Sequence, residues 1–145
     1  MPPKTIYVGM ALTEAPIDFR EDFQHELKAL LRQLTDAVIL DFVGLEGGTA
    51  KAVFEHDRGC AETADVCVFV VEYPSIGLGM EIAFRHMTGK RMLVFAPAGK
   101  RVTRMLTGMC EGNTNAILYR YYTVAEIVKQ VSFELEALAE ASLTQ

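Results

Sequence analysis

The chain has 145 residues, half of them apolar, enough to bury a core without disulfide or metal staples. Its 14 basic and 19 acidic residues leave a net charge of −5, the wrong sign for a protein that holds a nucleic acid polymer by neutralising many phosphates. Cys60, Cys67 and Cys110 are odd in number and show no metal-ligand spacing, so they read as reduced thiols of a cytoplasmic protein that binds no metal.

Thr5 to Met10 is a short, β-rich apolar run and reads as the first strand. It follows Met1 so closely that no leader peptide is expected, and no later apolar stretch is long enough to span a bilayer. Asp18, with Glu21 three residues on, has the spacing of a helix capping box. Phe19, Phe23, Leu27, Leu30, Leu31 and Leu34 then recur at helical spacing, with Arg20, Glu21, Gln24, Lys28 and Arg32 on the other face. Ala37 to Leu40 reads as a second strand, and Gly44, Gly47 and Gly48 mark a loop. Lys51 to Thr63 reads as a helix.

Val66 to Val71 is the strongest strand, and its unbroken apolarity implies burial on both faces, as in a parallel sheet flanked by helices. Pro74 to Gly79 reads as a turn opening a helix over Leu78 to Thr88, followed by a strand from Arg91 to Ala96. A short helix from Thr103 to Cys110 and a strand from Ala116 to Tyr119 come next. Thr123 and Glu126 then cap a closing helix that carries Val124, Ile127, Val128, Val131, Leu135 and Leu138. Strand and helix alternate throughout. The expectation is one α/β domain over residues 1–145, a flavodoxin-like or Rossmann-like doubly wound sheet of five parallel strands with helices on both faces. Its ligand should lie beyond the carboxyl ends of the strands, just after Tyr7, Val71 and Phe95.

The stretch most informative about chemistry is Glu72-Tyr73-Pro74-Ser75-Ile76-Gly77-Leu78-Gly79-Met80-Glu81. Gly77 and Gly79 allow backbone to approach a ligand, and Ser75 can donate to a phosphate or sugar oxygen. Glu81, expected in the first helical turn, can attack an anomeric carbon. An acidic residue there also suits the helix dipole whether or not it reacts. Asp57 reaches the site only if its helix runs back across the sheet edge, and Asp65 reads as a turn or capping residue. Tyr7 could be simply an aromatic packed on the sheet. His25, His56 and His86 share no ligand spacing and read as structural or solvated. Gly99 to Arg104 combines three cations with a hydroxyl before a helix, which suits either one phosphate or a solvated loop.

Taken in order, Ile6-Tyr7-Val8-Gly9, Glu55-His56-Asp57, Ala64-Asp65-Val66, Pro74 to Glu81 and Gly89-Lys90 resemble the nucleoside 2-deoxyribosyltransferase superfamily, and most of all its 2′-deoxynucleoside 5′-phosphate N-hydrolases. The resemblance implies cleavage of a nucleotide's N-glycosidic bond without a cofactor. It gives Glu81 the nucleophile's position, Asp57 that of the carboxylate assisting departure of the base, and Tyr7 that of the tyrosine orienting the nucleophile. Gly9, Ser75, Gly77, Gly79 and Thr103 fall on substrate-binding positions. Thr103 takes the place of a phosphate-binding serine donated by a neighbouring subunit, which implies a homodimer with shared sites. Those hydrolases follow the first strand with a Gly-Ser-Ile-Arg type of segment, where this chain has Gly9-Met10-Ala11-Leu12-Thr13. Two alternatives stand beside this reading: base exchange on deoxyribonucleosides, and a non-catalytic nucleotide- or flavin-binding module.

Overall fold

The computed structural model describes residues 3–34 and 37–144. Met1 and Pro2, which open the run read as leaderless, lie outside them. In chain order the elements are β1 (Lys4–Met10), a wide π-helical turn (Phe19–Phe23) running into α1 (Gln24–Arg32), β2 (Ala37–Leu40), α2 (Ala50–Thr63) and β3 (Val66–Val70). There follow α3 (Ile76–Thr88), β4 (Met92–Pro97), α4 (Arg104–Glu111), β5 (Ala116–Tyr121) and α5 (Val124–Leu143). All pairings are parallel and the strand order is β2-β1-β3-β4-β5, the doubly wound arrangement expected from the alternation of elements.

Side chains of a strand point alternately to its two faces, and this divides the interior in two. Ile6, Val8, Val66, Val68, Leu93 and Phe95 pack against α1 and α5 through Leu27, Leu31, Ile127 and Val131. Tyr7, Cys67, Phe69 and Val94 pack on the opposite face against α2, α3 and α4 through Ala61, Leu78, Ile82 and Leu106. The order of strands reverses at β1, between β2 and β3, so the crevice above Tyr7 and Cys67 is the switch point.

Local chemistry accounts for most element ends. Thr49, Ser75 and Thr123 cap α2, α3 and α5 with their hydroxyl oxygens, and Thr123 with Glu126 forms the reciprocal capping box expected there. The box expected at Asp18 and Glu21 does not form. Asp18 already has helical backbone angles and its carboxylate accepts from the adjacent Phe19 N–H at 3.0 Å, while the carbonyl of Pro16 takes the first turn's N–H groups. The third helix begins at Ile76, two residues earlier than expected, because Ser75 supplies its cap.

Lys28, assigned to the solvent face by helical spacing, is only 4% exposed. Asp65 is a clamp at the opposite edge from the site: Thr5 N–H donates to its Oδ2 at 2.8 Å and its own N–H donates back to Thr5 Oγ1 at 2.9 Å. Arg85 is fully buried and its guanidinium donates to the carbonyls of Ala61, Ala64, Asp65 and Arg91, tying the end of α2 to the starts of β3 and β4.

Gly9 owes its identity to packing. A Cβ on it would lie 2.6 Å from Phe69 Cδ1 and 3.2 Å from Leu78 Cδ1, both in the buried α3 side of the sheet. Gly9→Ala is therefore expected to lower stability by about 1–3 kcal/mol, the usual cost of an overpacked core. Urea unfolding of the variant checks this, and an unchanged midpoint would refute it.

Candidate active site

Tyr7 emerges from β1 onto the α3 side of the sheet and is completely buried. Its phenol donates a hydrogen bond to Oε1 of Glu81. Glu81 lies in the second turn of α3, since the helix starts at Ile76, so the dipole of a first turn does not explain it. Burial is the main influence on its carboxyl and raises the pKa from 4.5 to about 7; the Tyr7 hydrogen bond opposes this and the negative charge of Asp57 adds to it. Burial, followed by the charge of Glu81, pushes the Tyr7 phenol well above its ordinary range, which keeps it a donor.

Asp57 does reach this place. The middle of α2 brings it near enough for its charge to act on both Tyr7 and Glu81. Burial raises its own pKa, while the Val43 N–H, which donates to Oδ1 at 3.1 Å, and the charges of His56 and Lys28 lower it. His56 touches Asp41 O through Nε2 at 2.8 Å, and because a carbonyl can only accept, that nitrogen carries the proton. Cys60 Sγ lies 3.7 Å from the same nitrogen, and its thiol is pushed up first by burial and then by Asp57 and Glu81. Lys28, Asp41, Val43 and His56 were not singled out from sequence for this role. The only sequence signal pointing to any of them is the place of Asp41 directly after the second strand.

Gly77 stands four residues before Glu81, on the same face of α3, and a Cβ there would meet nothing nearer than Ser75 Oγ at 4.0 Å. Gly79 is likewise open around its missing Cβ. Both glycines lie within the first helical turn, not in the turn expected before it. The helix thus accepts the propensity cost of two glycines and leaves its N-terminal surface bare beside the carboxylate.

Ser75 and Thr103 are brought together elsewhere. They line a groove of about 530 Å³ between α3 and α4, with Gly79, Lys100 and Arg101 and an apolar floor that includes Leu78 and Ile82. Glu81 does not line it, since Leu78, Ile82 and His86 turn a different face of α3 to the groove. A smaller hollow of about 360 Å³, bordered by Arg20, His25, Phe42 and Glu46, opens between the start of α1 and the segment after β2. Among the described residues no cluster of three or more His, Cys, Asp or Glu is placed to hold a metal ion. Nor, among them, is any helix long and apolar enough to cross a membrane.

No family model matches the chain. A curated protein of Thermofilum pendens, named "Putative 2'-deoxynucleoside 5'-phosphate N-hydrolase 1", is 37% identical over 89 residues, which cover 59% of this chain and 62% of that protein. The chain thus spans less than two thirds of that relative's length. The CMP N-glycosidase of Clostridium botulinum superposes with a TM-score of 0.70 at 14% identity, over 90% of this chain and 99% of its own. A 2-deoxyribosyltransferase of Bacillus psychrosaccharolyticus superposes at 0.58 with 18% identity, over 86% and 90%. A 2-desoxiribosyltransferase of Leishmania mexicana does so at 0.52 with 21% identity, over 65% of each chain. These structures bear out the doubly wound fold, and the relative bears the name of the hydrolases that the sequence resembles.

The raised carboxyl has a consequence for stability. A group whose folded pKa lies above its unfolded value contributes stability that is full below the unfolded value, near 4.5, and is lost as pH rises through about 7. Glu81→Gln keeps an acceptor for Tyr7 and removes the buried charge. Its melting temperature relative to wild type is expected to climb by a few degrees between pH 5 and pH 8, read by thermal denaturation at both pH values. A constant difference would contradict a buried, titrating Glu81.

Proposed function

We propose that the protein cleaves the N-glycosidic bond of a (deoxy)nucleoside 5′-monophosphate, releasing free base and sugar 5-phosphate. The observation that carries this reading is the pair of carboxylates at the switch point, with Glu81 held by the phenol of a fully buried Tyr7 and Asp57 acting on both. Similarity to the named N-hydrolase supports it.

In the proposed reaction an Oε atom of Glu81 attacks C1′, the C1′–N bond breaks, and the base departs with the bonding electrons. Asp57 assists that departure by hydrogen bonding, with the proton supplied through it or from solvent. Water then attacks C1′ of the glycosyl ester, giving up a proton, and returns Glu81 as a carboxylate. Tyr7 orients the nucleophile and crowds the 2′ position, which favours deoxyribose. The chemistry needs no metal and no organic cofactor.

The partner is a small nucleoside or nucleotide, and the assembly is a homodimer. Ile76 and Met87 on α3 and Met105 on α4 are 88%, 82% and 84% exposed, apolar side chains that a second copy could cover. Thr103 lies in the groove together with Ser75, and its role in a neighbour's site is carried over from the resemblance to the N-hydrolases. Base exchange, with a second base replacing water, shares the glycosyl ester, so the acceptor must be varied to separate the two. A non-catalytic binding module would release no base at all.

Two outcomes are expected. Wild-type kcat/KM rises about tenfold per pH unit on the acid side and levels off near pH 7, as Glu81 ionises. Glu81→Gln lowers turnover by roughly a thousandfold or more without loss of fold. A pH-independent rate, or near-wild-type turnover in Glu81→Gln, would overturn the nucleophile.

A third outcome concerns phosphate. Ser75 Oγ accepts from Leu78 N–H at 3.2 Å, which leaves its O–H free to donate at the positive end of α3. Monophosphates should be preferred to nucleosides by about tenfold or more in kcat/KM, equivalent to about 1.4 kcal/mol. Ser75→Ala should shrink that preference. Equal rates on both, with product formation that requires an added base, would move the assignment to the transferase.

A further inference from the structure

We propose that Lys28 is the positioning residue for Asp57, its buried ammonium clamping Asp41 and Phe42 so that the following N–H, that of Val43, is held on the Asp57 carboxylate. The proposal rests on the glycosidase reading only for what Asp57 is used to do.

A lysine on an amphipathic helix ordinarily extends into water, and a buried one needs a reason. Lys28 is 4% exposed, and its Nζ lies 3.2 Å from Asp41 Oδ1 and 3.8 Å from the centroid of the Phe42 ring. Those residues immediately follow β2, where the chain turns toward the loop of Gly44, Gly47 and Gly48, all at positive φ. Three successive residues are therefore fastened. Asp41 is held by Lys28, by Arg32 at 3.1 Å and, through its carbonyl, by His56; Phe42 is held by the cation on its ring; Val43 is held by Asp57. Arg32 and His56 hold Asp41 as well, whereas the ring of Phe42, the residue directly before Val43, is covered by the Lys28 ammonium.

Lys28 also acts through its field. The groups facing Asp57 are Val43 N–H and Lys28 from the α1 and β2 side, His56 and Cys60 from its own helix, Glu81 from α3 and Tyr7 from β1. The groups facing Lys28 are Asp41, Arg32 and Asp57. Lys28 is thus the charged side chain from another element that favours an ionised Asp57. A neutral residue in place of Lys28 would remove that influence and leave burial, which raises Asp57, less opposed.

The test is a carbon-13 NMR titration of the side-chain carboxyls in the whole protein, beside pH profiles of base release from monophosphates. Lys28→Met and Lys28→Gln remove the charge and keep most of the length; having two allows for one that fails to fold. In either, the Asp57 midpoint is expected to rise by roughly half a pH unit or more, about a threefold change in its ionisation equilibrium. Lys28→Arg should restore the wild-type midpoint, and Arg32→Ala, which removes the exposed partner of Asp41, should leave it in place. An unmoved Asp57 midpoint in a folded neutral variant would overturn the proposal, as would failure of Lys28→Arg to restore it. If no base is released from any nucleoside or monophosphate, the glycosidase reading fails, and the titration still decides the role of Lys28.

Discussion

The hydrogen bond from Tyr7 to Glu81 joins β1 to α3, and the arrangement of the site follows from what that contact requires. A carboxylate can remain under the sheet only with a committed donor, and a phenol pushed far above its ordinary range by burial is one. The donor must leave β1 on the α3 side, which the alternation of the strand provides at Tyr7 and again two residues later at Gly9. At Gly9 the absent side chain admits the Phe69 ring and Leu78, and Leu78 belongs to the first turn of α3. The bare strand position, the ring that fills it and the helix that rests on the ring together fix the height at which Glu81 meets Tyr7.

Around that contact the chain departs from the rules that stabilise an ordinary core. It buries a carboxyl that titrates near neutrality, sets a second carboxylate beside it, draws a lysine out of water and opens a helix with two glycines in its first turn. Each departure is unfavourable alone and each has a local counterpart. Tyr7 serves Glu81, the Val43 N–H serves Asp57, Asp41 serves Lys28 and the Ser75 cap serves the helix. Concentration of such conflicts in one crevice is what a functional site looks like energetically, since a sequence free to optimise stability would remove them.

Much of this was legible beforehand, for identifiable reasons. The unbroken apolar run from Val66 and the regular alternation of elements require a parallel sheet covered on both faces, and Thr123 with Glu126 announces its helix because cap and box act within four residues. Asp57 was harder. Its value depends on how α2 is rotated about its axis, which contacts distant in sequence decide, among them His56 on Asp41, Phe54 on Phe84 and Arg85 on Ala61. Lys28 was misplaced because helical spacing assigns a cation to solvent, whereas its partner Asp41 lies across the β2 turn and is invisible to any local pattern. The Asp18 box failed for a related reason: Pro16 began the helical turn upstream of the residue that looked like its cap.

The division of the interior by the sheet bears on how such a chain can change. Helix α5, twenty residues long, buries Ile127 and Val131 against the face away from Tyr7 and is tied to the base of β4 through Arg91 and Glu134. It supplies none of the groups found around Glu81 and Asp57. The sheet stands as a wall between the two sides, so substitutions along α5 reach the chemistry only through the strands. That flank is a reservoir of mutational slack, able to absorb drift and to host compensating changes that restore the stability spent on the opposite face.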